Sequence, residues 1–236
     1  MDRRTARWVS GCFIVGGIVY SSWFLAFIVP TGLSQRGAYT SELEAAGVPY
    51  GWLFRGCDVL AGLLLFVGAI FALRAGRTTG AAGRSWYMDL GYVAVAVIGG
   101  CTAITGFLVL DCASSNGSCR RLRRSGVAAT WHNVGHHQFS NVAGAAFGVA
   151  IAAFTLAALR HQAPALIRRW VGWVLLLAIV TSGPLGTAVF AASWRGVPQR
   201  ADETVEAALL ILLGLSSWPQ SPGIAAGNEA ATAEQV

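Results

Sequence analysis

His132 and His136 stand four residues apart, so on a helix both imidazoles share one face and can reach one metal ion. His137 follows about 100° round the same helix. A catalytic zinc takes three protein ligands and keeps a fourth position for a water, whose pKa then falls towards 7. Asp111 is the best third ligand and Asp58 the next. Glu42, Glu203 or Glu206 would serve as general base, with Glu42 and Glu206 the catalytic candidates. Arg55 and Asp58 lie three apart on one helical face and are expected to pair, either as a lock between helices or as the wall of a pocket. Arg200 and His137 complete the set that would orient a substrate. The glutamate of the zincin motif is missing between the histidines. They therefore also read as headgroup contacts or helix caps beside Trp131. A divalent metal such as zinc is the cofactor this pattern allows.

The elements that must position these residues are membrane helices. About twenty near-continuous apolar residues follow Arg3, Arg4 and Arg7, which is what a helix needs to span a bilayer core. The pattern recurs, and hydropathy predicts about six spans: Trp8–Val29, Trp52–Leu73, Trp86–Leu110, Trp131–Leu159, Trp170–Ser193 and Asp202–Trp218. Tryptophan opens or closes most of them, as an interfacial belt would. Of the chain, 55% is hydrophobic and only 12% charged, against about a quarter charged in soluble domains. The expected fold is an all-α integral membrane bundle over 8–218, with a cytoplasmic tail at 1–7 and a disordered cytoplasmic tail at 219–236. Ser140, Gly144 and Gly148 form a small-residue face for close packing, Gly99 and Gly100 another, and Pro184 is expected to kink the fifth span.

Arginine bias places the amino terminus in the cytoplasm, beside the loops carrying Arg74, Arg77 and Arg84 and Arg160, Arg168 and Arg169. The bias is modest, because Arg120, Arg121, Arg123 and Arg124 fall on the other side. The basic excess suggests anionic lipid rather than nucleic acid, since the arginines flank apolar spans. Cys112 and Cys119 bracket a turn-rich stretch and are expected to form a disulfide, which requires an oxidising compartment and agrees with an outer loop. Under this topology Glu42, Arg55, Asp58, Asp111, the histidines and Glu206 all collect at the outer ends of the spans. There is no P-loop, no G-x-S-x-G elbow, no G-x-G-x-x-G and no C-x-x-C.

The run Ser41-Glu42-Leu43, Gly47, Pro49-Tyr50, Trp52-Leu53-Phe54-Arg55 and Asp58, then Asp111-Cys112 with Cys119, the histidines with Ser140, and Gln199-Arg200, resembles the bacterial multi-pass family catalogued as domain of unknown function 998, in its actinobacterial branch. The resemblance covers roughly residues 8 to 218. It implies an integral membrane protein of about six helices and supplies no reaction. Three functions stay open. One is a metal-dependent hydrolase or transferase acting on a lipid at the outer interface. The second is a non-enzymatic protein that binds lipid or a partner membrane protein. The third is a transporter, for which the inner halves of the spans look too apolar.

Overall fold

The computed structural model describes residues 2–78, 85–124, 130–182 and 194–219. Among them the chain is helical, with no strand. The helices are α1 (Arg3–Tyr20), α2 (Gly51–Thr78), α3 (Trp86–Phe107), the short α4 (Gly117–Arg124), α5 (Trp131–Leu159), α6 (Ala165–Ser182) and α7 (Gly196–Ser217), with 3-10 turns at Ser22–Phe27 and Thr40–Glu44. Among the described residues four segments are long and apolar enough to cross a membrane: Arg3–Phe27, Gly51–Gly76, Trp86–Phe107 and Trp131–Leu159. The chain is a helical membrane bundle, as its hydropathy requires.

Local signals set the helix ends. Asp2 caps α1, accepting from the Thr5 amide at 2.9 Å and its hydroxyl at 2.6 Å, and these bonds hold its carboxyl below the usual range. Ser85 caps α3 and Thr130 caps α5. The first span differs from its expected form. The α-helix stops at Tyr20, and the chain continues to Phe27 as a tighter 3-10 turn. Ser21 sends its hydroxyl back to the Gly17 carbonyl, a bond that competes with regular helix. The last helix starts at Gly196, more than a turn before the expected Asp202, because Pro198 falls in the first turn, where a missing N–H costs nothing. Pro184 and the tail beyond 219 lie outside the described residues.

Six helices close into a ring, in the order α1, α2, α3, α5, α6, α7 and back to α1. Each contributes to one core: Val9 and Phe13, Leu65 and Ala69, Val95 and Ile98, Phe147 and Phe154, Ile167 and Val171, Leu209 and Leu213. In lipid, such packing rests on close fit more than on escape from water. The closest fit joins α2 to α3. A Cβ at Gly62 would stand 2.5 Å from the Gly99 carbonyl oxygen and 2.8 Å from the Ala103 Cα, so only glycine lets the two backbones meet. Gly99 thus packs as expected. Gly144 and Gly148 do not: a Cβ at either would meet nothing within 4 Å among the described residues, and both are exposed on the flank of α5. Trp8, Trp52, Trp86, Trp131, Trp170 and Trp218 are exposed at helix ends, as belt residues are.

Gly62→Ala should therefore lower the melting temperature in detergent markedly, at a cost of about 1–3 kcal/mol from forced separation of the helices. Gly100→Ala, whose Cβ would sit 3.8 Å from Phe66, should melt near the wild type. Equal melting of the two variants would contradict this account of the contact.

Candidate functional site

The segment between α1 and α2 builds the site. Residues 31–50 run across one end of the ring rather than over its outside, and Ala38, Leu43 and Ala45 are fully or almost fully buried. A buried connector needs partners for its backbone groups. Arg200 of α7, 5% exposed, donates from Nη1 to the carbonyls of Ala38 at 2.8 Å and Gly196 at 3.0 Å, and from Nη2 to Gln35 Oε1 at 3.2 Å. Arg55 of α2 donates to the Glu44 carbonyl at 2.6 Å. Gln199 accepts from the Thr40 amide at 3.0 Å. Glu42, 3% exposed, accepts from the Ser114 hydroxyl and from the Ser115 amide at 3.2 Å. The loop it holds is closed by the Cys112–Cys119 disulfide, as expected, with Cα atoms 5.7 Å apart. The Ala46 amide completes the attachment, donating to the Leu110 carbonyl at 2.8 Å.

Beneath this connector lies a cavity of about 190 Å³. Its walls come from α1 (Tyr20), the first 3-10 turn (Ser22, Trp23), the connector (Thr40, Ser41, Leu43, Glu44), α2 (Phe54, Asp58), α3 (Thr102, Thr105), α5 (His136, Ser140, Ala143, Gly144) and α7 (Gln199, Asp202, Glu203, Glu206). Among the described residues five carboxyl groups thus line it, and no arginine does. Glu206, 8% exposed, accepts from the Tyr20 hydroxyl at 2.6 Å. Glu203 accepts from the Thr40 hydroxyl and from Gln199 Nε2 at 3.1 Å. Glu44 and Asp58 meet carboxyl to carboxyl. Two carboxylates in contact cannot both stay ionised in a buried place, so a proton is shared between them. Burial, first, and then the Asp58 charge and hydrogen bond push the Glu44 carboxyl well above its usual range. His136 is 2% exposed, and its Nδ1 lies 2.9 Å from the Leu108 carbonyl. A carbonyl only accepts, so Nδ1 carries the proton and a neutral ring keeps Nε2 as an acceptor.

The residues singled out in the sequence divide. Asp58, His136 and Glu206 come together in the cavity. Glu42 does not line it; its carboxylate is occupied by Ser114 and Ser115. Asp111 accepts from the Thr130 hydroxyl at 2.6 Å and amide at 3.2 Å, reinforcing the start of α5. His132 stacks on Trp131 at 3.7 Å between ring centroids, and His137 is exposed, edge-on to His136 at 6.1 Å. Among the described residues no three His, Cys, Asp or Glu side chains gather as a metal requires, so His132, His136 and Asp111 do not form the expected ligand set. Arg55 and Asp58 do not pair either: each turns instead to a different part of Glu44, its carbonyl and its carboxyl. Glu44, Tyr20, Thr40 and Trp23 escaped the sequence reading. Glu44 follows the noted Ser41-Glu42 by two residues, but its inward turn depends on the connector's path, which no periodicity encodes.

The chain belongs to the family described as protein of unknown function DUF998, whose model matches residues 4–216. No curated protein and no solved structure matches it.

Glu44 should make stability depend on pH. Its folded pKa is raised above the ordinary 4.5, so its contribution is fully present below that value and is lost as pH rises through the folded pKa. Thermal melts in detergent from pH 5 to 9 should show the wild type weakening with pH, by at most about 1.4 kcal/mol per unit for one group. Glu44→Gln should give a flatter profile and gain most over the wild type at high pH. Parallel profiles would count against a protonated Glu44.

Proposed function

We propose that this family member is a lipid-binding protein of the cell membrane whose cavity receives a polar headgroup at the extracytoplasmic face. One observation carries the reading: the acid-lined cavity is built at one end of a membrane bundle, and two of its wall residues, Ser140 and Gly144, are also exposed on the flank of α5. A headgroup can thus enter from the side while its chains stay in lipid. The connector closes the cavity towards the end of the ring, which favours a membrane-borne ligand over one arriving from bulk water.

Orientation follows from the same end of the molecule. Glu42 ties the disulfide loop to the connector above the cavity, and a disulfide belongs in an oxidising compartment. That supports a cavity facing outwards and an amino terminus in the cytoplasm, in agreement with the arginines before the first span.

A hydrolase or transferase acting on the bound lipid is the second reading, favoured by His136 and Glu206 sharing one cavity. Its metal-dependent form has lost its ligand set, so His136 would act as base and Glu206 would hold or pass a proton. A transporter ranks last, because beneath the cavity the ring is filled by the apolar core from Val9 and Phe13 to Leu209 and Leu213.

Native mass spectrometry of the detergent-purified protein tests the binding reading. Wild-type protein should retain one lipid. Ala143→Phe, which projects bulk into the cavity from its α5 wall, should retain at least ten-fold less while melting within a few degrees of the wild type. Equal retention by the two would place the lipid elsewhere and remove the proposal.

A further inference from the structure

The cavity also specifies the charge of its occupant. We propose that it takes an ammonium group, primary or quaternary, carried by an aminated lipid headgroup or by a free amine. This deepens the reading of the cavity as a headgroup site and rests on it for the lipid source alone.

The argument begins with charge. Glu44, Asp58, Asp202, Glu203 and Glu206 all line the space, and the described lining contains no lysine or arginine. Two nearby guanidinium groups are spent elsewhere, Arg55 on the Glu44 carbonyl and Arg200 on the carbonyls of Ala38 and Gly196. Even with one proton shared between Glu44 and Asp58, carboxyl groups outnumber every other ionisable group of the described lining. An anion such as phosphate would meet carboxylates with no cation to hold it.

Hydrogen bonding points the same way. Glu44 is 5% exposed, and its Oε2 has no hydrogen-bonding donor. An acceptor buried without a donor is costly, and the proton shared with Asp58 leaves this oxygen unserved. The occupant that resolves this donates; an ammonium does so with charge. His136 belongs to the same lining. Tyr20 and Phe54 contribute aromatic walls, and a cation near ring faces gains from their quadrupoles, whereas the Trp23 ring already carries Arg200 at 5.7 Å.

Geometry separates an organic cation from a metal ion. No three described ligands gather closely enough for a metal. The space of about 190 Å³ far exceeds the roughly 15 Å³ that one water requires. Carboxyl groups spread around a space of that size suit a polyatomic cation, whose charge is distributed over several N–H or C–H groups.

The full-length protein in a non-ionic detergent provides the test. Four probes are titrated while melting temperature and tryptophan fluorescence are read: short-chain phosphatidylethanolamine, phosphatidylglycerol with the same acyl chains, free ethanolamine, and inorganic phosphate. The ethanolamine lipid should bind saturably and at least ten-fold more tightly than the glycerol lipid, and phosphate should not bind. Saturable stabilisation by free ethanolamine at comparable concentration would identify a soluble amine as the source; a response to the lipid alone would identify the aminated headgroup. Glu44→Gln and Asp58→Asn should each weaken amine binding at least ten-fold. The comparison of the two lipids on wild-type protein decides the matter even if these variants fail to fold. Equal binding of both lipids, with both lost in Ala143→Phe, would overturn the ammonium while leaving the lipid site standing. Binding of neither lipid and no response to free ethanolamine, or unchanged amine affinity in folded variants, would also overturn it.

Discussion

A carboxyl group removed from water must lose its charge, meet a cation or gather donors. Everything at the cavity end of this bundle answers that constraint. Tyr20 donates to Glu206, and Thr40 and Gln199 donate to Glu203. Glu44 and Asp58 take the first course together, by sharing a proton. Guanidinium groups would be the usual remedy, and two are near. Their charges act on Glu44 and Glu203 only through space, while their hydrogen bonds go to backbone carbonyls and Gln35. Buried acids around an open space, with the arginines bonded to backbone instead, are what the proposed ammonium site rests on.

The arginines have another task that explains this choice. The connector between α1 and α2 lies across the end of the ring, where its carbonyls cannot reach water freely. Arg55 and Arg200 satisfy two of these backbone oxygens, at Glu44 and Ala38, and so fix the roof of the cavity to α2 and α7. Glu42 does the same on the opposite side through the disulfide loop. Charged residues that a sequence reading assigns to chemistry thus split into two groups. Arg55, Arg200 and Glu42 hold the roof; Asp58 and Glu206 line the space below it.

The helical architecture was legible because lipid leaves the backbone few alternatives: the apolar runs had to be helices, and their tryptophans had to lie near the interfaces. The gathering of Asp58, His136 and Glu206 at one end was legible too, since antiparallel helices bring alternate span ends to one level. Which side chains face inward at that level was not. Glu42 and Glu44 differ by two positions in a 3-10 turn, yet one grips Ser114 and the other enters the cavity. Asp111 and His132 sit at the right depth but are turned to Thr130 and Trp131, contacts set by how α5 begins. Spacing marks the small-residue face on α5 as a packing surface, whereas Gly144 helps to wall the cavity and the tight helix contact is made by Gly62 and Gly99. Spacing along one helix reports which residues share a face; the direction of that face depends on all the other helices.

The most direct measurement is an experimental map of the protein extracted together with its native lipids, without exposure to detergent. The account predicts density inside the cavity within hydrogen-bonding reach of Glu44 and Glu206, continuous with a lipid or standing as a small amine, and no guanidinium among the carboxyl groups. A map in which Arg55 or Arg200 enters the cavity to pair with those acids, or in which the acids point to different ends of the bundle, would contradict it.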